Sequence, residues 1–198
     1  MSFALPHNET ERLRALLACD ILDTAPEQAY DDVVSIAAHV AQVPIALISL
    51  VDKDRQWFKA RTGIDATETP REMAFCTHAI LRPDQPLIVQ DATTDRRFAQ
   101  NPLVIEEPQI RFYCGMPLKT ANHEALGTLC VIDREPRALM IEQRNALAAL
   151  ARQVMLLLDL RRQMVDMKQA ALDQLAYTDY LEERKKALET GAIKLRSV

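Results

Sequence analysis

The stretch EMAFCTHAI, Glu72 to Ile80, sets a thiol and an imidazole two residues apart, at Cys76 and His78, inside an otherwise apolar segment. Those groups are the raw material of a metal or chromophore ligand pair, of a redox site, or of a packed wall. On a short helix, residues two apart point about 200° apart around the axis, so the two cannot easily grip one atom together. One of them at most faces a pocket. His78 is expected to make that contact, with Cys76 as packing, while Phe75 and Ala79, four apart, share a neighbouring face.

Cysteines at 19, 76, 114 and 130 form no C-x-x-C and no zinc-finger spacing, so all four are expected to be reduced thiols. If a three-residue loop, Ala121 to His123, joins the strands that carry Cys114 and Cys130, those two face each other, close enough for a strained disulfide. A two-residue loop separates them. Core packing is favoured over a redox role for this pair, because a free cysteine commonly acts as a small buried hydrophobe. Asp91, Asp95, Cys114 and Asp133, with His78 as a further donor, could hold iron or zinc. The competing reading makes Asp91 and Asp95 turn formers in DATTD and Asp133 a strand end, and it is preferred. Arg71, Arg96, Arg97 and Arg111 could clamp an anion, or be tied up in salt bridges to Asp91, Asp95 and Glu72. No nucleophile and base spacing, no G-x-S-x-G and no Walker loop is present, so an enzymatic role is not expected.

The elements that must position these groups alternate clearly. Asn8 with Glu11 reads as a capping box for a first helix with a stripe of Leu13, Leu16 and Leu17. TAPE opens a second helix, buried through Val33, Ile36, Ala37 and Val40 and stopped by Pro44. IALISLVD and QWFKARTG make a hairpin across DKDR, and Trp57 and Phe58 occupy opposite faces of its second strand. REMAFCTHAIL is a short helix, PLIVQDA a strand, and residues 93–109 a long connection with room for one helical turn. IRFYCGMPLKT and EALGTLCVID make a second hairpin. In the three-residue register Leu126, Thr128, Cys130 and Ile132 join the face of Phe112 and Cys114, opposite Tyr113, Gly115, Leu129 and Val131. From Leu139 to about Thr190 the pattern is helical throughout. Its outer half carries a heptad seam through Leu160, Met164, Met167 and Leu181, as in a dimeric coiled coil, and Gly191 is expected to cap it.

The chain has 198 residues, enough for one domain with an extension. With 24 Lys and Arg against 28 Asp and Glu, the net charge of -4 provides no general attraction to nucleic acid or anionic lipid. The start lacks a basic and then apolar leader pattern, and no apolar run approaches a membrane span, so a cytoplasmic location with no membrane partner is expected.

Several segments in order, ILDTAPEQAYDDV, VPIALISLVDKDRQWFKARTG, ETPREMAFCTHAI, VQDATTDRRFAQNPLV, IRFYCGMPL and LGTLCVIDREPR, together resemble the GAF domain family. They look most like the GAF modules that precede bacterial sensor histidine kinases and diguanylate cyclases. The resemblance implies an α+β fold: a six-stranded antiparallel sheet with the N- and C-terminal helices on one face and a loop-covered small-molecule pocket on the other. It also implies dimerisation through those helices. The expected division is a sensor domain over residues 1–160 and a signalling helix over residues 161–198, leading to a downstream output. AYTDYLEER looks like a degraded start of a diguanylate cyclase domain, matching only at Asp179 and Leu181. Pocket candidates are Phe75, His78, Asp91, Arg97, Phe98, Arg111 and Tyr113. The N-K-F-D-E signature of cyclic-nucleotide binders is absent. Thr77 interrupts the Cys-His of bilin attachment, and the cysteines do not match the pattern of the free methionine sulfoxide reductases. The ligand is therefore left as an unknown small molecule, with transmission through the paired helices as the expected mechanism and a scaffold with a filled pocket as the alternative.

Overall fold

A computed structural model describes residues 4–196, with side chains to residue 186. Helices α1 (Glu9–Ala18) and α2 (Gln28–Ala41) precede strands β1 (Ile45–Val51) and β2 (Arg55–Thr62). A short edge strand β3 (Glu68–Pro70), a 3-10 turn at Arg71–Met73 and helix α3 (Phe75–Ala79) follow. Next come β4 (Leu87–Val89), α4 (Pro102–Ile105), β5 (Phe112–Lys119), β6 (Ala125–Asp133) and the 56-residue α5 (Ile141–Arg196). The strands form one antiparallel sheet in the order β3-β2-β1-β6-β5-β4. The expected α+β architecture is what forms. β3 escapes the sequence because three residues with one proline carry no alternation to read.

Alternation sorts the two faces. Ala46, Ile48, Leu50, Trp57, Phe112, Cys114, Leu129 and Val131 meet α1, α2 and the first third of α5. On α5, Leu147, Ala151, Val154 and Leu158 are the buried contacts, and beyond Val165 the described side chains are exposed. The other face carries Ile45, Leu47, Phe58, Tyr113, Cys130 and Ile132 under α3, α4 and the loops.

Local details depart from the pattern. Asn8 makes no side-chain cap, and its neighbour Glu9 ion-pairs with Arg12 (2.8 Å) and Arg71 (2.7 Å). Arg12 is fully buried and donates to the Val51 carbonyl at 2.6 Å. On α2, Val34 is buried and Ile36 is 50% exposed, a rotation of the buried face toward the sheet. Gln42, in the left-handed region at φ 56°, ends that helix before Pro44. α5 continues through Gly191, where a cap was expected.

Two bulges set the registers. In β1–β2 the ladder shifts between Ile48 and Ser49, leaving Lys59 as the extra residue. Its ammonium is held by Thr24, Ala25 and Glu27 at 2.6–2.8 Å. Arg161 on α5 also reaches Glu27 (3.0 Å) and the Asp20 carbonyl (2.9 Å), so one carboxylate joins the sheet, the α1–α2 connection and the long helix. In β5–β6, Lys119 pairs with Ala125 as a three-residue loop requires, but the ladder then shifts, and Leu118 pairs with Gly127. Cys114 consequently faces Val131 and Cys130 faces Gly115. The expected opposition of Cys114 and Cys130 is thus undone by one residue of bulge, which sends the two thiols to opposite faces of the sheet.

Candidate functional site

On the face away from the terminal helices lies a cavity of about 440 Å³. That volume is in the range of small-molecule sites. Its floor is apolar strand surface, chiefly Leu47, Phe58, Ile132 and the ring of Tyr113. Its walls are α3, through Phe75 and Cys76, and two loops: residues 63–66 after β2, and the segment around Pro108 and Ile110 before β5. Gly63 turns the first loop with φ 79°, where an added Cβ would stand 2.0 Å from the Pro44 carbonyl oxygen, so only glycine fits. The second loop is fastened by Arg134, whose Nε donates to the Pro108 carbonyl at 3.1 Å, and by Arg111, which donates to the Val104 carbonyl at 2.8 Å.

Polar groups in the wall are few. Gln56 is buried; its amide nitrogen donates to Thr69 at 3.4 Å, and its carbonyl oxygen has no hydrogen-bond partner among the described residues. Asp65, Glu107 and Arg134 complete the polar lining. At the base, the Cys76 sulfur receives the Tyr113 hydroxyl at 3.2 Å and lies 3.0 Å from the Thr128 hydroxyl. Tyr113 reaches it because Gly115, two residues on, is empty above the strand; a Cβ there would come within 2.2 Å of the hydroxyl. Burial pushes the Cys76 thiol up, but the neighbouring Cys130 thiol and the nearby hydroxyls of Ser49, Thr128 and Tyr113 outweigh it and bring the thiol below its ordinary range. Cys130 moves up, by the neighbouring Cys76 and by burial, and burial raises Tyr113 as well.

Of the seven sequence candidates, Phe75 and Tyr113 line the cavity. Phe98 stacks on Phe75 at 4.0 Å from behind, and His78 meets Phe98 edge-on at 4.8 Å, with the Arg97 guanidinium 5.0 Å from the same ring. His78 and Arg97 line a separate, smaller depression of about 260 Å³. α3 therefore turns Cys76 inward and His78 outward, the reverse of the expected choice. The imidazole stays half-buried, its pKa lowered by burial and by Arg97. Asp91 closes an Asx turn on Thr93 at 3.0 Å, and Arg111 braces the loop from outside.

The metal alternative disperses. Asp95 pairs with Arg97 at 2.6 Å, Asp133 with Arg137, and Cys114 lies under the helices on the other face. Among the described residues no three His, Cys, Asp or Glu side chains converge for an ion. Nor do the arginines form a clamp: Arg71 spans Glu9 and the Asp52 and Lys53 carbonyls. Sequence reasoning passed over Gln56 and assigned Cys76 and Cys130 to packing. Gln56 alternates with Phe58 on one strand face, which was a usable signal, whereas Cys130 depended on the bulge.

The sequence profile of the GAF domain family matches residues 25–158. The chain belongs to the GAF domain family. Solved GAF domains share the fold: one from an Acinetobacter phosphoenolpyruvate-protein phosphotransferase superposes with a TM-score of 0.57 at 18% identity, covering 80% of this chain and 95% of that one. The blue-light-absorbing form of the PixJ GAF domain from Thermosynechococcus elongatus gives 0.59 at 15% identity, covering 86% and 98%. A curated relative in Pseudomonas aeruginosa is 44% identical over 142 residues, 72% of this chain, and is named a cyclic di-GMP phosphodiesterase. The chain spans 24% of that relative's length. The expectation of no enzymatic role is overturned by this GAF relative, which carries an enzyme's name. Among the described residues, no helix is long and apolar enough to cross a membrane.

Proposed function

We propose that this GAF domain is the sensory part of a cyclic di-GMP phosphodiesterase system: a small molecule enters the cavity, and α5 carries its state to the hydrolytic output. The observation that supports it most is the cavity of about 440 Å³, apolar but for a few groups and holding the unpartnered carbonyl oxygen of Gln56, on the opposite side of the sheet from α5. An apolar body with one N–H or O–H directed at Gln56 fits that lining. Residues 161–198 act as the signalling helix and pair with those of a second copy. Leu160, Met164, Met167 and Leu181 are 48–72% exposed on the single chain, an apolar stripe that calls for cover. Arg161, on Glu27, clamps α5 at its exit, so a shift of the sheet under the ligand is felt there. Free energy for the switch is the difference in ligand affinity between two packings of the helices.

A chimera tests this reading. The chain replaces the matched segment of the Pseudomonas phosphodiesterase, compounds are screened for raising its melting temperature, and cyclic di-GMP hydrolysis is measured with the stabilising compounds. A change in hydrolysis that disappears in Gln56→Leu is expected. Stabilisers that leave hydrolysis untouched would overturn the sensory reading.

A further inference from the structure

Four buried thiols share this chain, and one has surroundings unlike the rest. Cys19 donates to the Ala15 carbonyl at 3.3 Å within its own helix turn, and Cys114 sits among hydrophobes, burial pushing it up to about 12. Cys76 instead accepts from the Tyr113 hydroxyl at 3.2 Å and lies 3.0 Å from the Thr128 hydroxyl; that Tyr113 hydroxyl stands over Gly115, the direct strand partner of Cys130, and both cysteines line the cavity. Such convergence stabilises negative charge on one sulfur and sets a second thiol beside it.

We propose that Cys76 and Cys130 are an oxidisable pair on the cavity wall, which a small hydroperoxide converts to a disulfide. The Cys76 thiolate attacks one peroxide oxygen and the O–O bond breaks. Cys76 becomes a sulfenic acid, and the departing hydroxide takes up the proton that Cys76 had given up, leaving as water when the oxidant is hydrogen peroxide. Cys130 then attacks the oxidised sulfur, the S–O bond breaks, and its thiol proton leaves with the hydroxyl as a second water. The pair loses two electrons and the peroxide gains them. Tyr113, which stays protonated, positions the acceptor sulfur and takes no part in the transfer. The bond would tie α3 to β6 and remove the sulfur on which Tyr113 and Thr128 rest, remodelling the cavity without any ligand. The inference stands on this cluster and does not rest on the sensory reading.

The test is done on the unaltered chain. It is treated with hydrogen peroxide, unfolded, alkylated and mapped by mass spectrometry. The expected result is loss of two of the four alkylatable thiols, a crosslinked pair of peptides carrying Cys76 and Cys130, and full recovery after dithiothreitol. In Cys130→Ser, dimedone should label Cys76. Retention of all thiols, oxidation confined to Cys19 or Cys114, or a crosslink between two copies would overturn the proposal. Because the mapping needs no variant, it stands whether or not Cys130→Ser folds.

Discussion

One sheet, two faces: under the helices its side chains interlock into a closed core, while under the loops they stop short and leave a cavity of about 440 Å³. The strands supply both faces with equally apolar residues. What differs is the cover. Rigid helices carry side chains in repeating rows that fill the grooves of a sheet, whereas the opposite face lies under two short helices and loops over residues 63–66 and 106–111, fastened at a few points such as Arg111 and Arg134. Hydrophobicity thus says that a face is covered, and the geometry of the cover says whether it is full.

The comparison breaks first in the core. Phe112→Ala, on the helix face, is expected to cost about 3–5 kcal/mol, and Phe58→Ala, on the cavity wall, roughly half of that, since part of its surroundings is already empty. Urea unfolding of both variants measures the gap; equal losses would mean that the cavity is packed in solution.

The pin between the layers comes next. Glu9 is half-buried, which raises its pKa, but hydrogen bonds and charge from Arg12 and Arg71 pull it down from 4.5 to about 2. Its folded value lies below its unfolded one, so its stabilisation is complete above pH 4.5 and is lost as pH falls toward 2. Glu9→Gln should cost roughly 2 kcal/mol at neutral pH and flatten the acid limb of the stability curve in that window. An unchanged acid limb would place the acid sensitivity elsewhere.

A smaller effect sharpens the site itself. Gly115→Ala puts a methyl where the Tyr113 hydroxyl lies, so about 1–2 kcal/mol of strain is expected, together with displacement of that hydroxyl from Cys76. The shift in the pH at which Cys76 is alkylated reports it, and it should move up. Least of all, Met164→Ala on the exposed part of α5 should change the stability of a single chain by less than about 0.5 kcal/mol. Sedimentation across a concentration series then isolates its effect on pairing of the long helices.

Much of the fold was legible in the sequence because it rests on short-range rules. Periods of two and of 3.6 located both hairpins, α1, α2 and α5, and Trp57 and Phe58 fell on opposite faces as alternation demands. The site was less legible, since it depends on rotations and offsets that no period encodes. α3 is five residues long, and its turn toward the sheet decides between Cys76 and His78. Arg12 carries no mark of burial in the sequence, yet Glu9 and the Val51 carbonyl give it a buried place.

By itself, then, the sequence determined the order of the elements other than the short edge strand β3, the apolar two-sidedness of the sheet and the family, all of which follow from residue types a few positions apart. Only the tertiary structure decided which thiols meet. One bulged residue, Leu126 on β6, turns Cys130 away from Cys114 and toward Cys76, because side chains alternate across a strand with period two and a single offset exchanges the faces.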